Sequence, residues 1–130
     1  MRKYKKIIML ILSSLFLSSC APKQGSVTGY TSISMDEGIK VIKEKNGYVI
    51  LDVRTPEEYK SGHIPGAVNI PNETIGAEEI PELPDKSQLL LVYCRSGRRS
   101  KEAAEKLVAL GYTNVVEFGG ILDYKGEIEK

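Results

Sequence analysis

Apolar residues recur along this chain in two different rhythms. Met35, Ile39 and Ile42 lie four and three positions apart, the period of one helix face. Ser34 with Glu37 three residues on makes a capping box at the start of that helix, and Asn46-Gly47 stops it. Thr55 and Glu58 make a second capping box, with Pro56 at the first helical position and Gly62 as the end. Ala103, Ala104, Leu107 and Leu110 form a third helical stripe, which Ser100 is expected to cap and Gly111 to end. The other rhythm is short and apolar throughout. Residues 48–53 (YVILDV) and 89–93 (LLLVY) predict strands covered on both faces. Residues 67–70 and 115–118 predict two more strands. Residues 72–87 are acidic, contain Pro81 and Pro84, and predict loop or short turns; residues 121–130 predict a final short helix.

Strands therefore alternate with helices. The pattern predicts an α/β fold with a mainly parallel sheet and helices on both faces. In such sheets ligands gather beyond the carboxyl ends of the strands. Cys94 stands at that end of the strand over residues 89–93.

The first residues follow neither rhythm. MRKYKK is basic, IIMLILSSLFLS is apolar but short for a membrane span, and LSSC comes next. This order is that of an export signal, and LSSC resembles the bacterial lipobox. The resemblance implies removal of residues 1–19 and a lipid on Cys20, which places the protein outside the cytoplasm on a membrane anchor: the outer side of the cytoplasmic membrane, the periplasm or the outer membrane. A plain signal peptide or an uncleaved anchor would leave Cys20 incidental. Residues 20–32 are small and polar and predict a tether, and residues 33–130 predict one domain.

Processing changes the charge. The 130-residue chain carries 18 basic and 17 acidic residues, a net of +1; residues 1–19 hold four of the basic ones and no acid, so the remainder carries −3. That balance argues against a broad nucleic-acid surface. It also makes the cluster CRSGRRS, residues 94–100, a local exception. With Cys20 lipidated, Cys94 is the one remaining thiol of the two cysteines. A lone cysteine forms no internal disulfide, and with a single histidine the chain offers no metal-ligand cluster. No cofactor is expected.

The loop has a physical logic. It joins a buried strand to a helix whose first N–H groups have no internal partner. Gly97 permits backbone angles closed to other residues, and Ser96 adds little bulk, so the loop amides can curl into an anion nest. A sulfur held there favours the thiolate, because helix N-termini and nearby cations lower thiol pKa values. Arg95, Arg98 and Arg99 supply the cations. The alternative, an inert buried cysteine among solvated arginines, has no use for a small-residue loop.

CRSGRRS resembles the active-site loop of rhodanese-type sulfurtransferases, Cys-x-x-Gly-x-Arg. Asp52-Val53-Arg54, Glu58-Tyr59, residues 62–67 (GHIPGA) and Asn69-Ile70-Pro71 follow that family's upstream signature in order. Gly111-Tyr112, Asn114-Val115 and Gly119-Gly120 resemble its downstream segment. One departure lies at Tyr124, where many members carry tryptophan. The resemblance implies a rhodanese-like fold and a persulfide on Cys94. The thiolate attacks the outer sulfur of thiosulfate, a persulfide or a polysulfide, and cyanide, a thiol or sulfite then removes that sulfur. Arg95, Ser96, Gly97, Arg98 and Arg99 are expected to bind substrate. Arg99, the motif arginine, anchors the loop or meets the donor's charge, while Arg95 and Arg98 recruit anions at the rim. Asp52, Arg54, His63 and Ser100 are expected to support the site structurally, with His63 holding a turn and Asp52 paired to Arg54.

Two other functions fit parts of the pattern. Some phosphatases place a thiolate and an arginine around an anion, but with five residues between them. Here four separate Cys94 from Arg99, a ring better sized for one sulfur atom. A sensing module would load a persulfide and turn over little. Expected partners are small-molecule sulfur donors and acceptors, a membrane through the lipid, and a protein sulfur acceptor; the domain is expected to be a monomer without nucleic-acid partners.

Overall fold

The computed structural model describes residues 29–130. The export segment, Cys20 and most of the tether lie outside the described residues. The elements run β1 (Thr31–Ser32), α1 (Met35–Glu44), β2 (Tyr48–Asp52), α2 (Pro56–Ser61), β3 (Val68–Asn69), β4 (Leu89–Cys94), α3 (Arg98–Ala109) and β5 (Val115–Gly120). Short 3-10 turns occupy Asn72–Thr74 and Ile121–Asp123. The strands form one sheet in the order β1–β5–β4–β2–β3, and every pairing is parallel. Parallel neighbours need crossovers, and α1, α2 and α3 are carried in them.

Both capping boxes form. Ser34 Oγ accepts from Glu37 N and the Glu37 carboxylate accepts from Ser34 N; Thr55 and Glu58 do the same for α2. Each cap satisfies helix N–H groups that have no partner within the helix, worth about 1 kcal/mol.

The continuous apolar runs in β2 and β4 are explained by burial on both faces. Leu51, Leu90 and Val92 pack against Ala103, Ala104 and Leu107 of α3 and against Ile75 and Leu83 from the 72–87 connection. On the opposite face Ile50, Leu91, Tyr93 and Phe118 pack against Met35 of α1 and Ile64. Neighbouring residues of one strand thus serve opposite cores, and neither face is left to water.

Three elements differ from the sequence expectation. The sheet starts at Thr31, inside the expected tether, because an edge strand pairs through its backbone and needs no apolar side chains. Ser100 is not the cap of α3. Gly97 is, in a left-handed conformation (φ 112°), and Ser100 lies in the first turn, wholly buried. Residues 121–130 hold only one 3-10 turn; beyond it the backbone pairs with His63 through Glu129, N–H to O at 2.9 and 2.8 Å.

Candidate active site

β4 delivers Cys94 to the carboxyl end of the sheet. Register against β5 slips between Val92 and Cys94, so that Gly120 stands opposite Cys94. This bulge turns the strand end and re-aims the loop beyond it. The 95–97 turn then lies directly on Gly120. A Cβ there would strike the Arg95 carbonyl, and Leu122 N donates to the same carbonyl at 3.2 Å. The backbone contact leaves room for glycine alone.

Cys94 is 1% exposed, and its sulfur faces inward to the loop. Gly97 N donates to Sγ at 3.0 Å. Ser100 Oγ lies 3.5 Å from the sulfur and receives the thiol hydrogen. The positive φ of Gly97 turns that N–H onto the sulfur while starting α3, so one residue is both helix cap and donor to the sulfur.

The arginines separate. Arg99 donates to both oxygens of Glu58, at 2.8 and 3.0 Å, and ties α3 to the start of α2. The Arg99 guanidinium, with the Thr55 N–H, pulls the Glu58 carboxyl down to about 2. Arg99 is held above its usual value, chiefly by the same pair, and lies within electrostatic range of Cys94. Arg98 is exposed and pairs with Glu102 at 2.8 Å, one turn along α3. Arg95 and Ser96 are exposed on the outside of the loop.

Behind the loop lies a buried polar network. Arg54 donates to both Asp52 oxygens, and its NH2 group also reaches Gly62 O at 2.7 Å. Tyr93 Oη donates to Asp52 at 2.7 Å and accepts from Ile64 N at 3.0 Å. Burial, with the Asp52 charge beside it, pushes the Tyr93 phenol up, so it stays a donor. Asp52 and Arg54 thus fasten β2 and β4 to the turn at residues 62–64. His63 stacks on Tyr59 at 3.7 Å, its Nδ1 sits 2.9 Å from Tyr59 O, and its Nε2 lies 3.4 Å from Glu129. Both ring nitrogens are therefore occupied away from Cys94. Among the described residues no group of three or more metal-ligating side chains comes together.

Two acids with no site role in the sequence reading belong here. Glu58 is legible there as a helix cap and as part of the upstream signature, but not as a partner of Arg99. Glu117, 1% exposed, lies under the loop and accepts from Ser100 Oγ at 2.7 Å, Gly119 N at 2.8 Å and Ser32 Oγ at 2.6 Å. Its one signal along the chain is an acid inside the apolar run Val115-Val116-Glu117-Phe118.

A five-stranded parallel α/β sheet carries a buried thiol and a glycine turn at the carboxyl end of its central strand, the end where ligands of such sheets gather. The Rhodanese-like domain family model matches residues 35–127, and the chain belongs to that family. Thiosulfate sulfurtransferase PspE of Escherichia coli is 42% identical over 73 residues, which cover 56% of this chain and 70% of that protein. Thiosulfate sulfurtransferase 16, chloroplastic, of Arabidopsis thaliana is 38% identical over 84 residues, covering 57% of this chain and 70% of it. A solved structure described as a rhodanese with anions from E. coli superposes with a TM-score of 0.58 at 38% identity, covering 64% of this chain and 98% of that one. Sulfur transfer is the activity these relatives are named for.

Proposed function

We propose that the domain moves a sulfane sulfur through a persulfide on Cys94. The observation that carries this reading is the Gly97 N–H held 3.0 Å from a sulfur at the start of α3. The Cys94 thiolate attacks the outer sulfur of thiosulfate. The new S–S bond forms as the old one breaks, and sulfite leaves with the electron pair. The terminal sulfur of the persulfide carries the charge and lies by the Gly97 N–H at the start of α3. Cyanide, a thiol or sulfite then bonds to that sulfur, and Cys94 leaves as thiolate. Donors stabilise the anion in the intermediate and in both transition states.

The arrangement of Arg99 supports sulfur over phosphate as cargo. Its guanidinium is committed to Glu58, which leaves the loop interior to backbone donors and one small atom. Export and a lipid on Cys20 are proposed from the basic, apolar and LSSC segments in order; loss of palmitate labelling in Cys20→Ser tests that part.

Incubation with thiosulfate is expected to add the mass of one sulfur atom to the Cys94 peptide, and cyanide to remove it as thiocyanate. If wild type gains no more sulfur than Cys94→Ser with thiosulfate, polysulfide and persulfide donors, the proposal fails. Sulfur that loads but is never released to any acceptor would indicate a sensor.

A further inference from the structure

Glu117 is buried, charged by nature and unused by the transfer steps above. Its position decides what it does. The Ser100 hydroxyl has one hydrogen. Glu117 Oε2 at 2.7 Å is its nearest acceptor, ahead of Gly97 O at 3.0 Å and Gly119 O at 3.4 Å. With the hydrogen given to Glu117, an Oγ lone pair is left for the thiol hydrogen of Cys94 at 3.5 Å. Cys94 and Ser100 are both closed to water. The thiol proton therefore has a built path inward before it has one outward.

We infer that Glu117 is the store for the Cys94 proton, reached through Ser100. As Cys94 becomes nucleophilic, its S–H bond breaks and a new O–H bond forms on Ser100. The original Ser100 hydrogen passes to Glu117 Oε2. The result is a thiolate, an intact Ser100 hydroxyl now donating to sulfur, and a neutral Glu117 acid. No oxidation state changes and no proton leaves the domain. Once the acceptor has taken the sulfur, the same two protons return. The interior carries one negative charge throughout: on Glu117 at rest, on sulfur during transfer. Without this exchange, the Cys94 thiolate would form two hydrogen bonds from a buried carboxylate, and the two like charges would oppose each other in a poorly screened site.

Other groups face Glu117. Lys101 Nζ on α3 lies 3.9 Å from Oε1, Tyr30 just before β1 lies within electrostatic reach, and Ser32 and Gly119 N donate to it. The half-exposed Lys101 balances the resting carboxylate from the solvent side. Glu117 does not touch sulfur, so it is a positioning residue, for a proton rather than for a substrate.

The inference rests on Cys94 being the reacting thiol. Its test reads that thiol directly and stands even if no sulfur is transferred. Alkylation of Cys94 by iodoacetamide is measured on the full chain by peptide mass between about pH 5 and 8. Wild type is expected to level off toward acid, because the thiolate formed by internal transfer does not depend on pH. Glu117→Gln and Ser100→Ala are each expected to lose that plateau and fall about tenfold per pH unit, as a thiol titrating to solvent does. A purely structural Glu117 would lower the unfolding midpoint and leave the acid limb unchanged; equal limbs in wild type and both variants overturn the inference. Should neither variant fold, the acid limb of wild type alone decides. An alkylation rate that keeps falling about tenfold per pH unit down to about pH 5 in wild type, with no plateau, rejects the relay.

Discussion

Replacing Glu58 by glutamine removes one charge and nearly nothing else. The amide oxygen still accepts from Thr55 N, so the α2 cap survives, while the two-point pair with Arg99 does not. The folded protein holds Glu58 at about 2 against an ordinary 4.5. Each tenfold in proton affinity is about 1.4 kcal/mol, which sets a ceiling of about 3 kcal/mol. The side chains are 28% and 22% exposed, so water screens the pair. About 1–2 kcal/mol then reaches stability. Folding lowers the proton affinity of Glu58, so its contribution is complete above about pH 4.5 and is lost as the pH falls toward 2. Urea unfolding of wild type and Glu58→Gln at about pH 7 and about pH 3 measures this. The variant should be less stable by about 1–2 kcal/mol at neutral pH, with the gap shrinking to less than half in acid. A gap of equal size at both pH values, or none at neutral pH, refutes the assignment of Arg99 as an anchor through Glu58.

Gly120→Ala should displace the cysteine loop, because its Cβ meets the Arg95 carbonyl backbone; we expect a loss of about 2–3 kcal/mol in thermal or urea unfolding and little sulfur loading of Cys94. Tyr93→Phe leaves Asp52 and Ile64 N each short of one buried partner, which should cost about 1–3 kcal/mol by the same measurement. Arg95→Ala should raise KM for thiosulfate about threefold at low salt with kcat unchanged, an effect that fades at high ionic strength. Arg98→Ala, whose charge is already met by Glu102, should change KM by less than about twofold.

The alternation of helix stripes and apolar runs was enough to read the layers and the succession from α1 to β5, but not the edge strand β1 or the end of the chain. Short-range chemistry was legible for the same reason: Ser34–Glu37 and Thr55–Glu58 act over three residues, and so does Gly97 on Cys94. What the chain could not advertise was contact across the fold. Arg99 meets Glu58 at a separation of 41 residues, and Tyr93 meets Asp52 at the same separation. Ser100 illustrates the limit from within one loop. Serine before a helical stripe is an ordinary cap, and only the left-handed Gly97 moves the helix start back and buries Ser100 over Glu117 instead.

The arginine-rich loop also means something different once its partners are known. Three cationic side chains within six residues suggest a strongly positive mouth. Arg99 is matched by Glu58, Arg98 by Glu102, and Lys101 faces Glu117. Among the described residues Arg95 is the loop cation left without an ion pair. The positive charge nearest the Cys94 sulfur is therefore mostly partial charge at the start of α3, led by the Gly97 N–H, which is fixed, short-ranged and little affected by salt. On the proposed mechanism, such a loop would hold a small anion by shape at the Cys94 sulfur and by charge only at its rim. That division explains how a domain with an acidic balance still presents an anion site. It also requires a left-handed backbone at Gly97 and, at Gly120, a residue with no Cβ to meet the Arg95 carbonyl.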